Sequence, residues 1–164
     1  MILSIDPGKR HAGLALFKDS RLYKAWLVKG DPTYAKAVGN WGIATAQAVS
    51  NDLFRNSYPG VLDVCVIERP QIYPGTSTKI SNDCVDLAIV GGAIAGIHAT
   101  QIEIVHFYLP REWKGQVEKK AMNNRTQGRL NDEELSKVKL PKHLARQTDV
   151  WDAVGIGLKY VGRL

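Results

Sequence analysis

Residues 1–17 read MILSIDPGKRHAGLALF. An apolar run at 2–5 suits a buried strand, and the acid Asp6 follows it directly. A Pro-Gly pair then favours a turn, and 12–17 is a second apolar run, so the stretch predicts a β-hairpin with a carboxylate beside its turn. The hairpin alone leaves two interpretations of Asp6 equal. It is either a turn residue bonded to the backbone of Gly8, or a functional carboxylate, because an unpaired buried acid is costly.

The composition is that of a basic globular protein. The 164 residues carry a formal net charge of +6, with 45% hydrophobic and 23% charged residues, which predicts one domain over 1–164 with a sizeable core. The positive charge favours a polyanionic partner, of which nucleic acid is the commonest. No apolar run is long enough to cross a bilayer, and no signal peptide precedes the first strand, so a cytoplasmic location is expected. Cys65 and Cys84 are expected to be reduced thiols, and the cysteines and histidines show no zinc-ligand spacing.

Beyond the hairpin, apolar runs and helical periodicities alternate along the chain. The predicted strand at 61–67 is apolar almost throughout, which is typical of a central strand covered on both faces, and it runs directly into Glu68. A long helix is predicted at 34–54, with Thr33 as its N-cap. The other predicted elements are strand 21–28, helix 82–100, strand 101–107, short helices 118–127 and 132–138, and helix 147–161. Strands joined by helices in this order predict an α/β fold with a mixed sheet.

Four carboxylates stand where such a fold could bring them together. Asp6 ends the first strand and Glu68 ends the fourth, and the ends of adjacent central strands form the usual site edge of an α/β sheet. Asp149 and Asp152 are three residues apart, hence on one face of the last helix. Their alternative role is that of first-turn acids that suit the helix dipole. If the four converge, oxygen-only ligands favour hard cations such as Mg²⁺ or Mn²⁺. Two such ions about 4 Å apart clamp the attacking and leaving oxygens of a phosphodiester.

Three motifs together carry a resemblance to a known family. They are IDPGKRHAGLALF with Asp6, VLDVCVIE ending in Glu68, and DVWDAVGIGL with Asp149 and Asp152. In this order and at these spacings they resemble the RuvC Holliday junction resolvases, which belong to the ribonuclease H-like nucleases, and the resemblance spans residues 2–159. It implies a ribonuclease H-like α/β fold with a five-stranded mixed sheet, in which the first three strands are antiparallel and helices cover both faces.

The same resemblance implies an activity. The protein would be an endodeoxyribonuclease that acts as a homodimer and resolves four-way DNA junctions by paired symmetric nicks. Its catalytic and metal-binding residues would be Asp6, Glu68, Asp149 and Asp152. They would hold two Mg²⁺ ions per active site, for which Mn²⁺ could substitute. In some members of the family a histidine takes the position of Asp149.

Basic and aromatic residues around these motifs are the expected nucleic-acid contacts. By the resemblance, Lys114, Lys119 or Lys120 contacts the scissile phosphate or the junction backbone. The full expected set is Lys9, Arg10, Arg69, Tyr73, Lys79, Lys114, Lys119, Lys120 and Arg125. Tyr73 is displaced from the place of the stacking phenylalanine of cellular members, so it is either a stacking residue or a loop tyrosine without a role. Trp113 lies in a basic, proline-flanked stretch, which favours exposure and DNA contact.

Departures from the family pattern keep other interpretations open. The residues after Glu68 and the reduced glycine segment at 114–116 favour a phage-encoded or otherwise divergent resolvase, acting in the host cytoplasm if phage-encoded. Whether it works with a branch-migration motor is left open. One rival is another ribonuclease H-like nuclease, either an enzyme that cuts RNA–DNA hybrids or a YqgF-type protein. The stretch DPGKRHAG near the start of this chain also resembles YqgF-type sequences. A second rival is a non-catalytic module that binds branched DNA. An actin-like kinase is disfavoured because the chain is too short for two lobes.

Overall fold

The computed structural model describes residues 1–56, 62–72, 77–98 and 102–164. Its strands are β1 (Ile2–Pro7), β2 (His11–Lys18), β3 (Arg21–Lys29), β4 (Val64–Glu68) and β5 (Ile104–Tyr108). Its helices are α1 (Pro32–Val38), α2 (Trp41–Arg55), α3 (Thr78–His98), α4 (Pro110–Trp113), α5 (Lys119–Gln127), α6 (Asp132–Ser136) and α7 (Leu144–Tyr160). Within these ranges, no helix combines the length and the apolar character that a membrane crossing requires.

The described strands form one mixed sheet in the order β3-β2-β1-β4-β5. The central strand β1 pairs antiparallel with β2 and parallel with β4. The outer pairs are β2 with β3, antiparallel, and β4 with β5, parallel. The near-continuous apolar runs of β1, β2 and β4 suit these inner places, because a strand covered on both faces needs apolar side chains at most positions. The predicted α/β fold with a five-stranded mixed sheet, antiparallel over its first three strands, is confirmed.

Side-chain alternation divides the apolar residues of the sheet between two layers of helices. On one face Leu3 of β1 packs in a cluster with Val49 of α2 and Ile94 of α3. On the other face Phe17 of β2 packs in a second cluster with Val154 of α7. Helices therefore cover both faces of the sheet, as the sequence predicts.

Two glycines bring α7 very close to the sheet. A Cβ atom on Gly157 would lie 2.0 Å from the ring of Phe17, so no side chain fits there. A Cβ atom on Gly13 of β2 would lie 1.9 Å from the backbone oxygen of Asp149. Because both contacts need glycine, these two positions set how closely α7 approaches β2 and how near its acidic residues come to the end of β1.

The region predicted as one helix at 34–54 contains two. α1 ends at Val38, because the next residue, Gly39, has a left-handed φ of 66° that stops the helix, and the side-chain oxygen of Asn40 then caps α2. The prediction of Thr33 as the N-cap is also wrong. Asp31 caps α1 by accepting hydrogen bonds from two backbone N–H groups, and a proline follows at the first helical position, where its missing N–H costs nothing.

The later elements are present with shifted ends. α3 begins at Thr78, β5 at Ile104 and α7 at Leu144, each within a few residues of the predicted start. The short helix α4 is an addition to the predicted elements. Residues 99–101, where the predicted helix 82–100 meets the predicted strand 101–107, lie outside the described residues.

Candidate active site

Two acidic residues lie side by side at the carboxyl ends of the parallel strands β1 and β4. The register pairs Ile5 with Ile67, so Asp6 and Glu68 are the next residues on neighbouring strands. Ile5 and Ile67 belong to the apolar cluster under α2 and α3. Because successive side chains of a strand alternate between faces, Asp6 and Glu68 belong to the opposite face, which α7 covers.

α7 places two further carboxylates over the same edge. Asp149 lies against Gly13 of β2, where the absence of a side chain lets the helix approach. Asp152 follows one turn later, and its side chain is only 7% exposed, against 20% for Asp149. The packing of α7 on the sheet therefore fixes the positions of both acids. They are not acids of the first helical turn, because α7 begins at Leu144.

The four carboxylates are near enough to repel one another. Burial raises the pKa of Asp6 well above its usual range, and three neighbouring carboxylates raise it further. In order of effect these are Glu68, Asp152 and Asp149. The pKa of Asp152 is likewise raised, first by burial. Such mutual repulsion at one sheet edge costs stability, and positive charge placed among the acids relieves it.

Glu68 is held by two donors from the α4 region. The indole Nε1 of Trp113 donates a hydrogen bond to Glu68 Oε2, and Lys114 Nζ lies 3.3 Å from the same oxygen. The Lys114 ammonium also lies 4.8 Å from the centroid of the Trp113 ring. The predicted exposure of Trp113 is wrong, since α4 turns its indole into the core against Gly155 and leaves it 5% exposed.

The acids of α7 each have a partner as well. Lys119 Nζ lies 3.7 Å from Asp152 Oδ2, and the Lys119 side chain is 58% exposed, which makes this a contact at the rim of the site. His11 Nε2 lies 2.8 Å from Asp149 Oδ2. His11 is not among the site residues predicted from the sequence. His11 and Gly13 share one face of β2, but that this face receives the start of α7 is known only from the packing of the helix against Gly13.

The donor chemistry of this cluster fits a hard divalent cation, although its present arrangement is not that of a coordination sphere. Carboxylate oxygens are the ligands that Mg²⁺ and Mn²⁺ prefer, and the raised pKa of Asp6 marks a place where negative charge is in excess. Among the described residues, no group of three or more His, Cys, Asp or Glu side chains is set to hold an ion jointly. Three of the acids instead point at protein donors. These are Glu68, Asp149 and Asp152.

The expected nucleic-acid contacts separate into groups. Lys114 and Lys119 touch the acidic cluster. Lys9 and Arg10, on the β1–β2 turn, point toward the α2 and α3 layer, where Lys9 pairs with Asp86 and Arg10 stacks 4.8 Å from the centroid of the Trp41 ring. The exposed residues Arg69, Lys120 and Arg125 form no ion pair with any described residue. Tyr73 lies outside the described residues, and Lys79 is described only in its backbone, within α3.

Comparison with solved structures identifies this arrangement of strands and helices. Thermus thermophilus RuvC in complex with a Holliday junction substrate superposes with a TM-score of 0.60 at 20% identity, over 96% of this chain and 89% of that one. The chain has the RuvC fold. Thermus thermophilus RuvC also matches in a second structure, with a TM-score of 0.56 at 19% identity, over 98% and 96% of the two chains. The yeast mitochondrial Holliday junction resolvase Ydc2 matches with a TM-score of 0.61 at 14% identity, over 99% of this chain and 78% of that one.

These matches confirm the fold that the resemblance of the three sequence motifs to the RuvC family implies. No family model and no curated protein sequence matches the chain. The RuvC fold is therefore evident from the structure at an identity too low for it to transfer an activity.

Proposed function

We propose that this protein is a divalent-metal-dependent endonuclease that resolves four-way DNA junctions. The observation that carries the proposal is the setting of Asp6, a half-buried acid at the end of the central strand β1, beside Glu68 on β4 and with the two acids of α7 near it. The cluster lies on a RuvC fold, and one of the matching structures is a RuvC bound to a Holliday junction substrate. A basic chain of net charge +6 suits a DNA partner.

The four carboxylates would hold the cations. Asp6 and Glu68 supply oxygens from adjacent strand ends, and Asp149 and Asp152 supply them from α7. When bound, Mg²⁺ ions, or Mn²⁺ in their place, supply Lewis acidity toward the phosphodiester and its attacking water. Trp113 orients Glu68 through its indole N–H, and His11 orients Asp149.

The reaction is hydrolysis of one phosphodiester bond in each of two strands. Water adds to phosphorus, the bond from phosphorus to the 3′ oxygen breaks, and the products are a 5′-phosphate and a 3′-hydroxyl. Lys114 and Lys119, at the edge of the acidic cluster, are placed to hold the phosphate oxygens beside the scissile bond. The roles of Lys9, Arg10, Arg69, Lys120 and Arg125 are contacts to the DNA backbone farther from the cut.

Two nicks in symmetric positions need two active sites, so we propose a homodimer of single-domain subunits. The chain mass is 18.1 kDa. Light scattering at micromolar concentration is expected to give about twice that mass, and each subunit is expected to unfold in one transition. A purely monomeric protein that still makes paired cuts would overturn the dimer.

The proposal is tested with a synthetic four-way junction in Mg²⁺, compared with a linear duplex, a Y-fork and an RNA–DNA hybrid. The variants are Asp6→Asn and Glu68→Gln, with Asp83→Asn as the charge-matched control, because Asp83 is exposed on α3, whose helix packs on the opposite face of the sheet from α7. Junction affinity is measured separately in Ca²⁺. We expect paired symmetric nicks from the wild type and from Asp83→Asn. The other two variants are expected to bind the junction but to lose at least 10²-fold in cleavage rate.

Three results would contradict the proposal. Preferred cutting of the RNA strand of the hybrid assigns the protein to the hybrid-cutting nucleases. Tight junction binding without cleavage in either Mg²⁺ or Mn²⁺ makes it a binding module. Cleavage that survives both Asp6→Asn and Glu68→Gln places the reaction somewhere other than this sheet edge.

A further inference from the structure

A run of basic residues without an assigned role leads from the end of α6 into the first turn of α7. Residues 137–146 read KVKLPKHLAR and are called here the lysine segment. The segment contains no acidic residue, and its basic side chains are Lys137, Lys139, Lys142, His143 and Arg146. Apart from Arg146, which is half-buried, these side chains are exposed. In the described part of the chain, none of them pairs with a carboxylate.

The lysine segment is held in place at both ends, unlike most charged surface loops. The backbone N–H of Ala25 donates to the carbonyl of Lys137 at 3.2 Å, and the N–H of Lys139 donates to the carbonyl of Ala25 at 2.8 Å. This parallel bridge extends the sheet beyond β3. At the other end, Gln147 Nε2 donates to the carbonyl of Pro141 at 3.0 Å, which ties the segment to α7.

The backbone geometry directs the lysines outward. Val138 packs against the apolar cluster beneath α7. Because side chains alternate along an extended strand, Lys137 and Lys139 share the opposite, solvent-facing side. Because the backbone of the segment is already ordered, binding a polyanion immobilises only its side chains. The entropy cost of binding is therefore lower than for a disordered segment.

The positive charge of the segment adds to that of the neighbouring strand. Lys24 of β3 lies 4.4 Å from the centroid of the Trp26 ring. Its pKa is lowered, first by burial and further by the charge of Lys139, while Asp52 opposes the shift. The segment and the β3 edge therefore form one basic surface.

The basic surface leads directly to the acidic cluster. Arg146 stands three residues before Asp149 on α7, so the two share a helix face. The lysine segment therefore ends about one helical turn before Asp149, the first of the two acids on α7. The lysines expected to contact DNA near the cut, Lys114 and Lys119, instead follow β5 in the chain and lie beside Glu68 and Asp152.

We propose that the lysine segment is a phosphate-binding surface that holds one duplex arm of the branched DNA beside the active site, an inference that rests on the proposed function. The recognised chemistry is the sugar–phosphate backbone and not base sequence, because the segment offers ammonium groups and a guanidinium on an ordered backbone. It gives the enzyme a second region of contact with DNA beyond the expected set around the acids.

The test compares two double variants with equal loss of charge. Lys139→Ala with Lys142→Ala removes two positive charges from the segment. Lys18→Ala with Arg21→Ala removes two from the exposed β2–β3 end, at the far end of the sheet from Asp6. Affinity for the junction and for a linear duplex is measured by fluorescence anisotropy over a series of salt concentrations in Ca²⁺. Melting temperatures, and a second pair Lys139→Gln with Lys142→Gln, check that the fold is intact.

We expect the segment variant to weaken duplex and junction binding about 10-fold and to lower the slope of log affinity against log salt by about 2, since each phosphate contact contributes about 0.9. The far-end variant is expected to keep the wild-type slope. Equal effects of the two double variants would overturn the proposal, because a general loss of net charge would then explain both. If the wild type cuts no junction and the segment variant alone still loses slope on duplex, the proposed function fails and the phosphate-binding surface stands.

Discussion

His11 Nε2 on β2 lies 2.8 Å from Asp149 Oδ2 on α7. The contact joins the turn of the first hairpin to the helix that closes over the sheet, and it gives the more exposed of the two α7 acids a fixed direction. We expect His11→Ala to lower the cleavage rate about 10- to 100-fold and to raise the Mg²⁺ concentration needed for half the maximal rate, as loss of a partner to a metal ligand does. The measurement is the junction cleavage rate over a Mg²⁺ titration.

His11→Gln is the matched variant, because a glutamine amide keeps a donor at the end of the side chain. It is expected to recover most of the rate and of the Mg²⁺ dependence. If both variants lose activity and melting temperature to the same extent, His11 supports the fold and does not position Asp149.

Gly13 tests the close approach of α7. A Cβ atom there would lie 1.9 Å from the backbone oxygen of Asp149, so Gly13→Ala has to push the helix away. We expect a loss of about 3 kcal/mol in the free energy of unfolding, with loss of cleavage. Chemical denaturation measures the first and the junction assay the second.

Gly92 of α3 provides the contrast. A Cβ atom at Gly92 meets nothing within 4 Å. Gly92→Ala is expected to stabilise the protein by up to about 1 kcal/mol, because alanine is the better helix former. A neutral result for Gly13→Ala would show that α7 adjusts freely at its first turns.

Asp6→Asn tests whether repulsion within the acidic cluster lowers the stability of the metal-free protein and whether a bound cation restores it. Burial and three neighbouring carboxylates raise the pKa of Asp6, so replacing its carboxyl by a neutral amide is expected to raise the metal-free free energy of unfolding by about 1 kcal/mol. Saturating Mg²⁺ or Ca²⁺ is expected to stabilise the wild type by about 2–3 kcal/mol and the variant much less. Thermal melts with and without EDTA measure both. A wild type that no divalent cation stabilises would contradict the metal site.

The ion pair between Glu134 and Arg163 is expected to make the free energy of unfolding depend on pH in the acid range. Glu134 is 3% exposed, and its hydrogen bond from Arg163 lowers its pKa to about 2, from an ordinary value of 4.5. Because the pKa of Glu134 is lower in the folded than in the unfolded state, its ionised carboxylate stabilises the fold. This contribution to the free energy of unfolding is complete above about pH 4.5 and is lost as the pH falls toward 2. We expect Glu134→Gln to cost about 3 kcal/mol at neutral pH and to flatten the stability profile over that interval.

Glu133→Gln is the control for this measurement, because Glu133 is the exposed neighbour on α6. It is expected to leave the profile of stability against pH as in the wild type, followed by urea denaturation at a series of pH values. A profile for Glu134→Gln parallel to that of the wild type would show that the ion pair with Arg163 does not cause this pH dependence.

The succession of strands and helices along the chain and the acids at two strand ends could be predicted because both depend on local pattern. An apolar run that stops at an acid marks a strand end, which is how Asp6 and Glu68 were singled out, and a spacing of three residues puts Asp149 and Asp152 on one helix face. The pair Gly39-Asn40 also indicates the break between α1 and α2, since glycine is typical of a helix end and asparagine of a helix start. The helical periodicity on either side of that pair outweighed it in the prediction.

What surrounds each acid depends on distances that no local pattern contains. Trp113 reaches Glu68 from a helix that begins after β5, and His11 meets Asp149 across nearly the whole length of the chain. These contacts follow from how closely α7 and α4 pack on the sheet, and that packing is set by glycine contacts and side-chain volumes distributed over separate elements. The amino-acid pattern therefore determines the strand ends and the residues they carry, while the partners and the pKa values of those residues arise only when the sheet and its helices are assembled.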